Sequence, residues 1–258
     1  MNMRRSKTLE MLRAGKTVIS TKCNTSDPRV VEIAAMMGFP CIWVDNEHVA
    51  NDYFVTEKQI MAAKMYDTDV LVRIPRGSYS DYIRPLELDA AGIMVPHVMS
   101  VEEAKDIVRM TRFHPIGRRP VDGGNADAKY CMVPTHEYTQ QANDQRFVVL
   151  QIEDPEAMEQ IDEIAAVEGF DMLFFGPADY SHAIGVPGQM DHPEVVAGFR
   201  RVAEAAKKHG KFAGTVGGVA NAAERLAMGY QFMNIGADVV ALDNYFKDIY
   251  EFSTQFNK

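Results

Sequence analysis

The chain has 258 residues, of which 47% are apolar and 24% charged, with a formal net charge of −9. That is the balance of a globular protein with a sizeable core, and the length suits one α/β domain over residues 1–258, since barrels of that class commonly run to about 250 residues. The acidic balance excludes a nucleic-acid binder, which needs a basic face to neutralise phosphates, and no run approaches the roughly 20 apolar residues of a membrane span.

Taken in order, residues 1–16 are charged and lack the apolar segment of a signal peptide. Residues 9–14 read as a short helix closed by Gly15, and the β-branched run 17–21 as the first strand. Residues 28–37 are helical, with Gly38 as the stop, and 41–44 form a second strand of continuous hydrophobicity, as in a parallel sheet covered on both faces. A helix over 56–66 starts at Thr56 as N-cap, with Gln59 completing a capping box. Strand three spans 70–74, a helix containing Pro85 spans 80–88, and strand four spans 92–96, just before His97. Ser100 caps a helix over 101–111. From 113 to 146 the pattern lapses. A stretch of this length is either a functional lid or subunit contact, or a surface excursion with its own helix near 136–142. Strand five spans 147–152, a helix 155–167, strand six 172–175, a helix 193–209, strand seven 212–216, a helix 220–228, strand eight 232–235 and a last helix 244–256. Eight alternating strand–helix units predict a (β/α)8 TIM barrel. The three cysteines Cys23, Cys41 and Cys131 follow no metal-ligand spacing, and their odd number suits a reducing cytoplasm. Of the 16 methionines, Met36, Met37, Met61, Met65 and Met158 fall inside helical patterns and read as core gap-fillers.

Strand ends on one face of such a barrel converge on one cavity, where catalytic residues sit. That face carries Asp45-Asn46-Glu47-His48, Arg73, His97, Glu153 and Asp179, whereas the other carries ordinary residues such as Lys16, Asp69 and Lys211. Glu153 and Asp179 each close an apolar strand with no Lys or Arg beside them. Two such carboxylates repel unless a divalent cation or a shared proton relieves them, so they read as metal ligands, with a helix cap as the alternative for Asp179. Arg73, embedded in an apolar strand, needs a partner, either a developing oxyanion or a barrel acid. His48 is a candidate general base, or else a ligand or capping histidine. The small residues Gly176-Pro177-Ala178 leave the amides of 178 and 179 open to a ligand carboxylate. The glycine run Gly214–Gly218 is a weaker phosphate-site signal.

Five of these runs, Val44–His48, Leu71–Arg73, Ile93–Pro96, Leu150–Glu153 and Gly176–Asp179, resemble in order and spacing the HpcH/HpaI aldolase family, class II metal-dependent pyruvate aldolases. The resemblance extends from Gly15 to the last helix. It implies that Glu153 and Asp179 ligate Mg2+, Mn2+ or Co2+, which pyruvate chelates through its keto and carboxylate oxygens. It further implies that Gln151 hydrogen-bonds near the metal, that Gly176, Pro177 and Ala178 line the carboxylate site, and that Arg73 stabilises the enolate oxygen. By the same resemblance His48 moves protons through a metal-bound water, with Asp45 close by. The acid that assists this histidine in relatives falls on Glu87 and can reach across a subunit boundary, so a homo-oligomer, a trimer or hexamer, is implied. Two departures are Asn46 for the usual glycine and Gly117-Arg118-Arg119-Pro120 for a Gly-Ile-Arg-Gly stretch, which leaves the aldehyde partner unassigned.

The expected activity is reversible cleavage of a 4-hydroxy-2-oxo acid to pyruvate and an aldehyde. A Schiff-base mechanism would need a lysine, and only Lys22 lies near a predicted strand end, with none at strand six. Two alternatives are an acyl-CoA lyase of the citramalyl- or malyl-CoA type, for which Arg118-Arg119 is the one short basic cluster, and a barrel that binds a keto acid without turnover.

Overall fold

The computed structural model describes residues 1–256. Its elements run α1 (Lys7–Arg13), β1 (Val18–Cys23), α2 (Pro28–Met36), β2 (Cys41–Asp45), α3 (Tyr53–Lys64), β3 (Asp69–Arg73), α4 (Tyr79–Glu87), β4 (Gly92–Val95) and α5 (Val101–Thr111). They continue with α6 (Thr135–Gln145), β5 (Phe147–Ile152), α7 (Pro155–Glu159), α8 (Ile161–Ala165), β6 (Met172–Phe175), α9 (Pro177–Ala183), α10 (Pro193–Lys208), β7 (Phe212–Gly217), α11 (Ala222–Ala227), β8 (Phe232–Ala237) and α12 (Asp238–Ser253). The strands pair in parallel in chain order, and β8 closes on β1 to complete a (β/α)8 barrel. Among the described residues no helix is long and apolar enough to cross a membrane.

Period-two alternation divides each strand between two cores. Val18, Trp43, Leu71, Met94, Val149 and Phe174 fill the barrel, which Leu9 and Leu12 of α1 plug from below. The intervening residues, such as Ile42, Val44, Val72, Ile93 and Leu150, pack outward against the helices. Both faces of a strand are therefore buried, which is why β2, β3 and β5 lack polar positions over most of their length. Trp43 and Phe174 meet edge to face at 5.6 Å across the interior.

Several expectations are corrected. The third helix starts at Tyr53, because the Asp52 carboxylate accepts from the Val55 amide at 2.8 Å and caps it, leaving Thr56 buried within the helix with its hydroxyl bonded to the Asp52 carbonyl. The helix expected over 155–167 breaks into α7 and α8 at Gln160. An unforeseen helix, α9, begins at Pro177, whose missing N–H costs nothing in a first turn. The last helix starts at Asp238, whose carboxylate accepts from the Asn24 and Thr25 amides.

Asp69, expected to be ordinary, is fully buried at the barrel foot and accepts from Arg4 Nη1 at 2.6 Å and from the Ser6 hydroxyl and Thr8 amide at 2.8 Å each. The adjacent Arg146, buried as well, pairs with Asp89. These bonds tie the segment preceding α1 across the foot. The 113–146 stretch also lies at the foot, because it joins the end of α5 to the start of β5. It contains α6 and a small core of Met3, Phe113, Ala128, Val133, Tyr138 and Ala142. It is an excursion with its own helix and does not cover the mouth. Of the methionines read as core, Met158 is buried, whereas Met36, Met37, Met61 and Met65 are 56–72% exposed.

Candidate active site

The mouth is built from inward-facing residues at the C-terminal ends of the strands. Register sets Asp45 beside Arg73 and Lys22 beside Trp43. Arg73 donates from Nε to Asp45 Oδ1 at 3.0 Å and from Nη2 to Oδ2 at 2.6 Å, a two-pronged grip that fixes its plane over the Trp43 ring at 4.8 Å. Its partner is thus a barrel acid, as one of the two readings held, while Nη1 has no partner among the described residues. Lys22 Nζ lies 2.7 Å from Asp45 Oδ2. Burial alone would raise the Asp45 carboxyl, but the bonds and charge of Arg73, then those of Lys22, hold it well below the usual carboxylate range. A depressed carboxyl adds stability above its unfolded value and loses it as pH falls. The stability deficit of Asp45→Asn, measured by urea unfolding, is therefore expected to be full above about pH 5 and to shrink as pH falls from about 4 to about 2. A deficit independent of pH would contradict this account.

Glu153 follows β5 and is 1% exposed. Its Oε1 accepts from the His97 amide at 3.0 Å and its Oε2 from Gln151 Nε2. Burial, with the nearby Asp179 charge adding to it, pushes this carboxyl up to about 7 although the His97 amide opposes the shift. Gly176 makes the arrangement possible, since a Cβ there would sit 2.3 Å from Glu153 Oε2. Its own amide donates to the Ile152 carbonyl at 3.0 Å, so the open amides of this loop are those of Ala178 and Asp179, in the first turn of α9. Asp179 is exposed in that turn, while Pro177 is buried.

The acidic pair fits a hard divalent ion. A buried carboxylate that feels a second one, next to the buried Gln151 Oε1 that has no partner, is an all-oxygen donor set. Among the described residues no group of three or more His, Cys, Asp and Glu side chains is disposed to hold a metal, so the donor set here is the two carboxylates and the Gln151 amide oxygen.

Glu47 joins the remaining groups: its Oε2 is 3.0 Å from Arg73 Nε and 3.5 Å from His48 Nε2, and its Oε1 is 3.9 Å from His97 Nε2. His48 stands on the rim, its side chain 61% exposed. His97, which sequence reasoning placed near strand four without assigning it a role, is more central. It adopts a left-handed backbone (φ 50°), which aims its amide at Glu153, and its Nδ1 meets Asp154 Oδ2 at 2.9 Å. Burial disfavours the imidazolium, but Asp154, Glu153 and Glu47 together outweigh it and hold His97 above the ordinary range. Its place two residues beyond the end of β4, directly after Pro96, was the available signal.

Glu87 is not brought to this cluster. It ends α4 at the foot, where burial raises its carboxyl and its charged neighbours are Arg119, Asp127, Asp122 and Arg84. Any role at His48 would need a second copy of the chain. Arg118 and Arg119 are likewise at the foot, and Arg119 is buried against Asp127 and Tyr138. The Gly117–Pro120 departure therefore does not touch the mouth of its own barrel.

A closed parallel barrel with acids, an arginine and histidines gathered at its strand C-termini defines an enzyme of the TIM-barrel class. The profile of the HpcH/HpaI aldolase/citrate lyase family matches residues 23–244, and the chain belongs to this family of carbon–carbon lyases. It is 34% identical over 232 residues to a pyruvate aldolase of Rhizobium etli, covering 90% of this chain and 91% of that one. It is 34% identical to a 4-hydroxy-2-oxo-heptane-1,7-dioate aldolase of Escherichia coli, covering 90% and 88% of the two chains. The crystal structure of an HpcH/HpaI aldolase from Desulfitobacterium hafniense superposes with a TM-score of 0.89 at 34% identity, covering 95% of each chain.

Proposed function

We propose that this enzyme is a divalent-metal-dependent aldolase that reversibly cleaves a 4-hydroxy-2-oxo acid to pyruvate and an aldehyde. The observation that carries this reading is the buried Glu153, held by the His97 amide and Gln151 beside a second carboxylate and an unpartnered amide oxygen. Glu153 and Asp179, with Gln151 Oε1, would hold the ion, and the oxygen-only set favours Mg2+ or Mn2+ over Co2+. When bound, such an ion supplies Lewis acidity to the keto oxygen of the pyruvate half.

The chain's own groups supply the rest. The Ala178 and Asp179 amides hold the pyruvate carboxylate. Arg73, locked by Asp45, directs Nη1 at the oxygen where enolate charge develops, a fixed donor that needs no reorganisation. In the synthetic direction the pyruvate methyl loses a proton, its carbon bonds to the aldehyde carbon, and the aldehyde oxygen takes up a proton. His48 Nε2, next to Glu47, moves these protons. Pyruvate incubated with the protein and Mn2+ in deuterated water is expected to exchange its methyl protons, and EDTA to stop the exchange. A silent methyl signal would remove the aldolase reading and leave a binder. The acyl-CoA alternative loses the basic cluster it invoked, since Arg118 and Arg119 lie at the foot and Arg119 is buried there. The three cysteines are unpaired, which supports a reducing cytoplasm as the working compartment.

We also propose that the working unit is a homo-oligomer. No residue of the 16-residue α12 is buried, and its Tyr245, Phe246, Ile249, Tyr250 and Phe252 are 49–71% exposed. An aromatic side chain buries roughly 150–250 Å². Covering this helix reciprocally in two copies would exceed the approximately 1,200 Å² that a stable interface needs. The exposed Ile33 and Met36 on α2, with Met37 capping its C-terminus, offer an apolar counterpart. In sedimentation velocity the double variant Phe246→Asp with Ile249→Asp is expected to run smaller than the parent chain. Equal sizes would exclude α12 from the interface.

A further inference from the structure

We propose that Lys22 is a specificity-determining residue that selects acceptor aldehydes carrying their own carboxylate near the reacting carbonyl; this rests on the aldolase reading above. In a closed barrel of eight strands in chain order, β1 stands opposite β5. Lys22, near the end of β1, therefore faces Glu153 across the mouth. On this proposal a molecule whose pyruvate half is held at Glu153, Asp179 and the α9 amides has its other half on the β1 side of the mouth.

Lys22 projects inward, its Nζ 5.0 Å from the Trp43 ring centre and its side chain 18% exposed. Of the three N–H groups on an ammonium, one is accounted for by Asp45 Oδ2 at 2.7 Å, and beyond the Trp43 ring face Nζ has no other hydrogen-bonding or ion-pair partner among the described residues. That acid is already gripped at both oxygens by Arg73, which also meets Glu47 at 3.0 Å, so Lys22 shares its one carboxylate partner with a second cation. The pyruvate chemistry makes no use of Lys22: deprotonation and charge stabilisation fall to Arg73, His48 and the acidic pair. Its amine is held in the ion pair with Asp45, which suits a fixed positive charge and not a carbonyl nucleophile. A partly desolvated ammonium that shares its one carboxylate and keeps N–H groups free on the acceptor side favours a carboxylate and gives a neutral aldehyde nothing comparable. The product class is a 4-hydroxy-2-oxo dicarboxylic acid.

The test compares two acceptors of two carbons each, glyoxylate and glycolaldehyde, which differ by the negative charge. The parent protein is first assayed for methyl proton exchange in pyruvate with Mn2+; absence of exchange defeats the aldolase reading itself and this proposal with it. Where exchange is present, the ratio of kcat/KM for glyoxylate to that for glycolaldehyde is measured in the parent, Lys22→Met, Lys22→Gln and Lys22→Arg. The ratio is expected to fall by about 10-fold or more in Lys22→Met and Lys22→Gln, chiefly through the KM for glyoxylate, and to recover in Lys22→Arg. Lys22→Gln keeps a hydrogen bond to Asp45, so it reports on the missing charge even if Lys22→Met does not fold. Equal loss with both acceptors, or an unchanged ratio, would overturn the proposal and reduce Lys22 to a partner of Asp45.

Discussion

Glu153→Ala is expected to slow methyl proton exchange in pyruvate by at least about 100-fold and to make the remainder insensitive to EDTA. Even outer residues of metal sites commonly cost 10–100-fold, and this one is read as a direct ligand. The removal also leaves Gln151 Nε2 and the His97 amide without their acceptor. Stability should move the other way in the metal-free protein, and Glu153→Gln, which keeps the shape, shows it best. A carboxyl raised from 4.5 to about 7 on folding binds its proton more tightly in the folded state. It therefore costs stability progressively as pH rises between those two values. At about pH 8 with EDTA, Glu153→Gln should melt at or above the parent temperature. With excess Mn2+ the order should reverse, because only the parent gains stability from binding. A parent that melts higher in EDTA and gains nothing from Mn2+ would contradict the metal assignment.

Arg73→Lys is expected to lower kcat/KM by about 100- to 1,000-fold, the range for loss of one preorganised donor to a developing oxyanion. Lysine cannot reproduce the two parallel bonds to Asp45 and places no third nitrogen at the Nη1 position. Arg73→Ala should add a stability defect of about 3–5 kcal/mol, since Asp45 is fully buried and would keep only Lys22 as a cation. Urea unfolding above pH 5 separates the two effects: the lysine variant should stay close to the parent in stability while losing activity. If Arg73→Lys retains activity within about 10-fold, the oxyanion role falls and the residue is a structural partner of Asp45.

Much of the barrel was legible because its strands are buried on both faces. Runs 41–44 and 172–175 are apolar at every position and 147–152 at every position but Gln151, and each became a strand within a residue or so of the expected ends. Glu153 was legible too, as an acid directly after such a run. Element starts that depend on one side chain were harder. Asp52 advanced α3 by a turn, and Pro177 opened a helix too short for any periodic signal.

Hydrophobic period and strand length, both local properties, were enough for the sequence to determine the barrel, its order and the face on which the reactive acids emerge. Which charges meet was decided only by tertiary structure, because Coulombic pairing depends on separation in space and not along the chain. Closure brought Lys22 and Arg73 onto Asp45, and a left-handed turn set the His97 amide on Glu153. The same closure carried Glu87 and Arg119 to the foot and left the apolar face of α12 uncovered.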